Sequence, residues 1–218
     1  MKNFRKKFTV IAVLAAMVAT VLTGCAKKFD AATYVKGTLD AYFKNEISDQ
    51  YVKLVDGGKE AIQKGHDDQI EMLLDEIREM DASDELINQY RDMYIDLFSK
   101  CKYTIGEAVE DKSTNNFTVT VTVEPLKMEM EEIGTKVMTH ITEWAQTQDQ
   151  TDAEAYQAAG TEELLTYMLS LFQEALAAPE YLEAQTFDVH VNKGANNIYQ
   201  ISEDELAKVI NTTTGLGV

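Results

Sequence analysis

Two cysteines and three histidines are the side chains best suited to nucleophilic or metal chemistry: Cys25, Cys101, His66, His140 and His190. None lies in a nucleophile elbow, a Cys-Xaa-Xaa-Cys pair, a His-Glu-Xaa-Xaa-His zinc motif or a phosphate-binding glycine loop. Cys101 closes the apolar stripe of a predicted helix, which indicates a buried and inert thiol. We therefore predict no catalytic residue, no metal site, no cofactor and no enzymatic activity.

One of the histidines lies on a candidate ligand surface. Residues 187–191 read Phe-Asp-Val-His-Val, which is the period-2 pattern of a half-buried strand. The apolar residues define one face, so Thr186, Asp188 and His190 share the other. This polar face is a candidate ligand surface, and a simply solvated sheet face is the alternative.

The strongest motif of the chain lies near its N-terminus. Residues 2–7 are basic, and residues 8–22 form a run of fifteen without a charge. That run is shorter than the roughly 20 apolar residues that a bilayer span needs, but it suits the apolar region of a secretory signal. It ends in the sequence Leu22-Thr23-Gly24-Cys25.

This ending resembles the lipobox of bacterial lipoproteins, an aliphatic residue and two small ones before a cysteine. The resemblance implies that the Cys25 sulfur is alkylated by a diacylglyceryl group and that the signal peptide, residues 1–24, is cut between Gly24 and Cys25. Residues 25–28 then form a short lipid-anchored tether. A plain cleaved signal and an uncut signal anchor are the alternatives.

The charge of the chain limits its partners. The formal charge is −17, and the first 24 residues contribute four basic residues and no acid, so the chain beyond them is four charges more negative, at −21. A body this acidic is unsuited to nucleic acid, because binding to phosphates requires clustered Lys and Arg. The predicted partners are the membrane, through diacylglyceryl-Cys25, and an unknown ligand or envelope component.

The elements that must position these residues follow from hydrophobic periodicity. Helical stripes of period 3.6 alternate with strand patterns of period 2, clearest in residues 117–123, where apolar residues alternate with threonines. The order predicts a helix-rich α+β fold, α-(α-α-β-β)-(α-α-β-β)-α, whose two β-hairpins form a four-stranded antiparallel sheet. The repeated order also suggests a degenerate internal duplication.

Several boundaries complete this prediction. A single α+β domain spans residues 29–211, followed by a frayed tail at 212–218. Ser83 and Thr161 are predicted to cap equivalent helices of the two blocks, and Pro125 suits the first position of a helix. The segment from Ser202 to Glu205 has the pattern of a capping box.

The segment Tyr34-Val35-Lys36-Gly37-Thr38-Leu39-Asp40-Ala41-Tyr42 and the strand at 187–191 resemble uncharacterised small lipoproteins of Gram-positive, clostridial-type bacteria. That resemblance implies no activity. We expect a non-catalytic lipoprotein on the extracytoplasmic side of the cell membrane, binding a small molecule, peptide or envelope partner. A cell-envelope hydrolase and a substrate-binding component of a transporter are the alternatives. For the latter, the 194 residues beyond position 24 are few for a two-lobed binding protein.

Overall fold

The structure is a computed structural model that describes residues 29–194 and 198–216. The predicted signal peptide, with Gly24, and the predicted tether, with Cys25, lie outside the described residues. The predicted turn at 192–197 lies partly outside them.

Seven helices occur in the described part of the chain, and several begin at a side chain that caps the first turn. The carboxylate of Asp30 accepts from the Thr33 N–H, and that of Asp152 accepts from the N–H groups of Glu154 and Ala155. The helices are α1 (Ala31–Lys44), α2 (Asp49–Val52), α3 (Gly58–Arg78), α4 (Asp84–Ser99), α5 (Met130–Thr147), α6 (Ala153–Ala177) and α7 (Glu203–Thr214). None of these described helices combines the length and apolar character that crossing a membrane requires.

Four strands form one antiparallel sheet in the order β1-β2-β3-β4. The strands are β1 (Lys102–Asp111), β2 (Asn116–Glu124), β3 (Gln185–Lys193) and β4 (Tyr199–Ile201). The predicted helix-rich α+β fold is confirmed; four helices precede the first hairpin, and two helices lie between the hairpins. Because β4 has only three residues, it pairs only with the last three residues of β3. The backbone groups along the rest of that edge of β3 are not paired by β4.

The chain divides into two compact units. The sheet unit comprises residues 29–69, 101–126 and 181–216 of the described chain, and the helical unit comprises residues 70–100 and 127–180. Helix α3 contributes to both, because the division falls between Gln69 and Ile70. The single domain over residues 29–211 stays a prediction.

In the sheet unit, α1 packs against β1 and β2 on one face of the sheet. The valines on that face are at most 1% exposed: Val119, Val121, Val123, Val189 and Val191. At the C-terminal part of α1, the carboxylate of Asp40 accepts a hydrogen bond of 2.6 Å from the Tyr103 hydroxyl and pairs with Lys36. Burial and the neighbouring Asp40 raise the pKa of Tyr103. This contact fixes the helix to the first residues of β1.

The first described residue, Phe29, is buried at the other end of the sheet. Its ring stacks on Tyr199 with centroids 3.9 Å apart, and it lies 5.9 Å from Phe117 and 5.5 Å from Tyr34. Phe117 is the second residue of β2, and Tyr199 is the first residue of β4. The chain therefore enters the sheet unit beside the turns of the two hairpins.

In the helical unit, polar contacts join neighbouring helices. The Tyr90 hydroxyl of α4 donates to the Leu165 carbonyl of α6 at 2.8 Å. The Ser83 hydroxyl, at the start of α4, donates to Glu162 of α6 at 2.6 Å. Glu71 accepts from both Arg78 and Arg91, which lowers its pKa. These contacts join α3 to α4 and α4 to α6, and they fix the positions of the three helices within this unit.

Two predicted helix starts are wrong. Thr161 lies inside α6, because Asp152 caps a helix-favouring, alanine-rich stretch that runs into it. Pro125 ends β2 but does not start a helix, since Leu126 first forms a bridge with Tyr181 and α5 begins at Met130. The two blocks share their element order, yet the cap at Ser83 has no equivalent at Thr161. The internal duplication stays a prediction.

The end of the described chain also differs from the predicted boundary. Helix α7 continues three residues past position 211, to Thr214, and both Thr213 and Thr214 are fully buried. The Thr213 carbonyl accepts from the Leu126 N–H at 3.0 Å, so the last turn is fixed by a neighbouring segment of the sheet unit.

Candidate functional site

The structure brings the three predicted ligand-face residues together with the threonines of β2. In the pairing of β2 with β3, Thr186 lies opposite Thr122, Asp188 opposite Thr120, and His190 opposite Thr118. All six side chains lie on the face of the sheet that α1 leaves uncovered. We call this surface the open face: Thr118, Thr120, Thr122, Thr186, Asp188 and His190.

Cross-strand hydrogen bonds order the open face. The Thr120 hydroxyl donates to the Asp188 carboxylate at 3.3 Å, and the hydroxyls of Thr122 and Thr186 lie 3.2 Å apart. Such pairs contribute modestly to sheet stability and fix the rotamers of the side chains. The result is a regular array of hydroxyl groups around one carboxylate, with further hydrogen-bonding capacity directed at solvent.

Strand β1 extends the open face on one side. Thr104 lies opposite Thr122, and Val109, which is 68% exposed, lies opposite Thr118. Between them, a β-bulge interrupts the register at Gly106. A Cβ atom at Gly106 would lie 3.3 Å from the Cβ and the carbonyl oxygen of Thr120. The glycine therefore leaves the central Thr120 uncovered by a neighbouring side chain.

The histidine of the open face has a partner that the sequence did not reveal. Glu205 of α7 accepts from the backbone N–H of His190 at 2.7 Å and contacts its Nδ1 at 2.7 Å. The His190 carbonyl accepts from the Ser202 N–H. Glu205 thus occupies the β3 edge just beyond the short β4 and satisfies backbone groups that a longer strand would have paired.

The predicted capping box is therefore wrong. Ser202 precedes α7 but makes no side-chain cap hydrogen bond. The Ser202 N–H donates to the His190 carbonyl, and the Glu205 carboxylate accepts from the His190 N–H. Neither group is therefore available for the mutual hydrogen bonds of a capping box. The sequence shows an acid at position 205, but it does not show that the partner of Glu205 is His190, fifteen residues earlier in the chain.

The open face carries little positive charge. Asp188 and the His190–Glu205 pair are its central ionisable groups. At its far edge, Lys102 lies over the Tyr181 ring and 3.9 Å from Glu124. Uncharged hydroxyls and carboxylates dominate, so the surface is suited to uncharged or cationic hydrogen-bonding groups.

The other two histidines lie elsewhere. His140 of α5 contacts Glu163 of α6 at 2.6 Å and stacks on Tyr167 with ring centroids 3.8 Å apart. His66 lies on α3, where its Nδ1 is buried without a hydrogen-bond partner among the described residues, as is the side-chain amide of the nearby Gln69. Across residues 29–194 and 198–216, no group of three or more His, Cys, Asp or Glu side chains could hold a metal ion.

The buried thiol behaves as the sequence predicts. Cys101 is 3% exposed, and burial raises its pKa far above the ordinary value while the nearby Lys44 lowers it only partly. Because the thiolate is the nucleophilic form, this environment disfavours reaction at the sulfur.

Comparison with known proteins identifies a fold but no family. No protein-family model matches the chain, and no curated protein is significantly similar to it. The fold is similar to the crystal structure of a protein from Bacillus subtilis subsp. subtilis str. 168 that carries the name putative lipoprotein (ycdA). The TM-score is 0.52 at 15% identity, over 85% of this chain. This chain spans 55% of the length of that one.

Proposed function

We propose that this protein is a lipid-anchored, non-catalytic lipoprotein of the cell envelope, held on the extracytoplasmic face of the membrane by Cys25. The motif Leu22-Thr23-Gly24-Cys25 behind a basic and then apolar segment carries the anchoring. The name of the Bacillus subtilis protein with a similar fold supports the same class.

The open face is the binding surface of the proposal. Cross-strand hydrogen bonds order its hydroxyls, which stay partly exposed. Gly106 has no side chain that could cover Thr120 at the centre of the face. The body as a whole is strongly acidic, and the open face carries Asp188, with Glu205 at its β3 edge. We therefore propose an uncharged or cationic envelope ligand rather than a polyanion.

Anchoring is tested by intact-mass analysis of the protein from its own membranes. The expected product begins at Cys25 and carries the mass of a diacylglyceryl group. Cys25→Ala should abolish both cleavage and lipid attachment, whereas Cys101→Ala should leave both unchanged. A wild-type product that still contained Met1 would contradict the anchoring.

Binding is tested with the detergent-solubilised, full lipidated protein by native mass spectrometry and by co-sedimentation with purified cell-wall material. The double variant Thr120→Val and Thr122→Val removes two central hydroxyls with little change of shape. The matched control is Thr135→Val with Thr139→Val on α5, where each hydroxyl donates to a backbone carbonyl of its own helix. Loss of binding in the first variant alone supports the open face, and equal binding by both contradicts it.

The absence of catalysis is tested in the same samples. Wall material incubated with the protein should release no soluble fragments beyond those of a protein-free control. Release that persists on purification and disappears on substitution of Asp188 would instead indicate a hydrolase.

A further inference from the structure

A short tether limits where the lipid anchor can lie on the sheet unit. Cys25 and Phe29 are four residues apart in the sequence. Even a fully extended chain of that length spans at most about 14 Å. Phe29 is buried, so the origin of the tether is fixed on the body.

Phe29 fixes that origin at one end of the sheet. It stacks on Tyr199 and contacts Phe117, both next to the hairpin turns. The opposite end of the sheet is marked by Tyr103, which packs against the C-terminal part of α1 at Phe43 and Lys44. We call the two ends the hairpin end (Phe29, residues 112–115 and Lys193) and the far end (Tyr103, Lys44 and Gln185).

The hairpin end carries lysines beside its acids. Its turn residues are Lys112, Ser113, Thr114 and Asn115, all exposed, and Lys193 lies beside them at the end of β3. The acids at this end are Asp111, whose carboxylate accepts from the Ser113 and Thr114 side chains, Glu110 before it, and Asp30 next to Phe29. Together with Lys27 and Lys28 of the tether, lysines at this end offset the acids, in a chain whose body carries a large negative charge.

We propose that the hairpin end faces the bilayer and that Lys112 and Lys193 contact anionic lipid headgroups. This inference rests on the proposed function, because it requires the lipid on Cys25. The tether brings the hairpin end within reach of the surface, and its lysines supply positive charge that can face an anionic leaflet. The open face then runs outward from the membrane, with His190 at its inner end and Thr186 at its outer end.

The orientation is tested with the full lipidated protein in phosphatidylcholine vesicles that contain phosphatidylglycerol. A fluorophore is attached at Ser113→Cys on the hairpin end or at Gln185→Cys on the far end, roughly 25 Å away along the strands. Cys25 carries lipid and the Cys101 thiol is buried, so the label reports only the new site. A lipid with a quenching headgroup should quench the label at 113 several-fold more than the label at 185.

Charge reversal tests the headgroup contact. Lys112→Glu and Lys193→Glu should each weaken the docked state by more than about fivefold in vesicles with phosphatidylglycerol, because each removes an attracted charge and adds a repelled one. Lys44→Glu at the far end, which makes the same charge change, should leave the quenching at 113 unchanged. In vesicles of phosphatidylcholine alone, the reversals at the hairpin end should have much smaller effects.

The outcomes distinguish failure of the proposed orientation from failure of the proposed lipid anchor. Lipid mass on Cys25 combined with equal quenching at both sites, or stronger quenching at 185, would overturn the orientation while the lipoprotein proposal stood. A product without lipid mass would overturn both. Equal effects of Lys44→Glu and Lys112→Glu would remove the headgroup contact from the proposal.

Discussion

The two faces of the sheet are built from the same strands but differ in burial and chemistry. On β2, Val121 is fully buried, whereas its neighbours Thr120 and Thr122 are partly exposed on the opposite face. The buried face excludes water and carries most of the stability, as apolar burial requires. The open face pairs its polar groups with each other and stays accessible. Stability and binding can therefore be altered separately in this unit.

The largest expected difference between the two sides appears at alkaline pH. Burial raises the pKa of Tyr34, Tyr42 and Tyr51, so these phenols stay neutral in the folded state while the unfolded chain ionises near the usual value of 10.0. Their stabilisation is complete below that value and is lost as pH rises above it. Each should contribute a loss of about 1.4 kcal/mol per pH unit, or about 4 kcal/mol together near pH 11.

Denaturant unfolding at about pH 8 and pH 11 measures this loss together with that of the other groups whose pKa burial raises, Tyr90, Tyr94, Tyr103 and Cys101, so about 4 kcal/mol is a lower bound. Phenolate absorbance should rise together with the loss of near-ultraviolet circular dichroism. Ionisation of these tyrosines while the circular dichroism persists would show that water reaches the buried side in the folded state.

A close contact on the buried side should give the next largest effect. A Cβ atom at Gly37 of α1 would lie 2.2 Å from Cγ of the fully buried Tyr51. Gly37→Ala must therefore displace a ring that is also hydrogen-bonded to Thr38, at a cost of about 3 kcal/mol. Gly134→Ala is the matched control, because a Cβ there meets nothing within 4 Å. It should be neutral or stabilise its helix by up to about 1 kcal/mol, and similar losses in both variants would contradict the steric account.

Adjacent residues of β2 allow a direct comparison of the faces. Val121→Ala removes buried methyl groups and should lower the free energy of unfolding by about 2 kcal/mol. Thr122→Val, one residue away on the open face, should change it by less than about 0.5 kcal/mol. Chemical denaturation of both variants measures the difference. Comparable losses would mean that the open face is also packed.

The sequence predicted the separation of the faces because it is a local property. Alternation with period 2 places every second residue of a strand on the same face, whatever the strand pairs with. The residues Thr186, Asp188 and His190 were therefore assigned correctly to one surface. Their direct pairing with the β2 threonines followed only from the register of the sheet, which the sequence did not specify.

Contacts across long sequence separations were missed for the same reason. The sequence predicts Glu205 as the last residue of a local capping box, but its carboxylate accepts from the His190 N–H instead, and the Ser202 N–H donates to the His190 carbonyl. Likewise, the cap-like Thr161 lies within a helix that an earlier and stronger signal, Asp152, starts. Local signals indicate where an element can begin, and competition among them decides where it does.

The contact between Glu205 and His190 gives the smallest of these effects and tests how the open face is held at its edge. Glu205→Gln keeps the length of the side chain but removes its charge: the amide oxygen can still accept from the His190 N–H, whereas the amide nitrogen can only donate to Nδ1, so no charged acceptor is left at this edge. Loss of a charged acceptor should destabilise the protein by about 1 kcal/mol, since both side chains are partly exposed. Glu203→Gln in the same first turn of α7 controls for the helix dipole, which contributes only a few tenths of a kcal/mol. If the two variants unfold at the same denaturant concentration, the carboxylate acts through the helix alone, and the edge of β3 is held by the backbone bonds of β4 and Ser202.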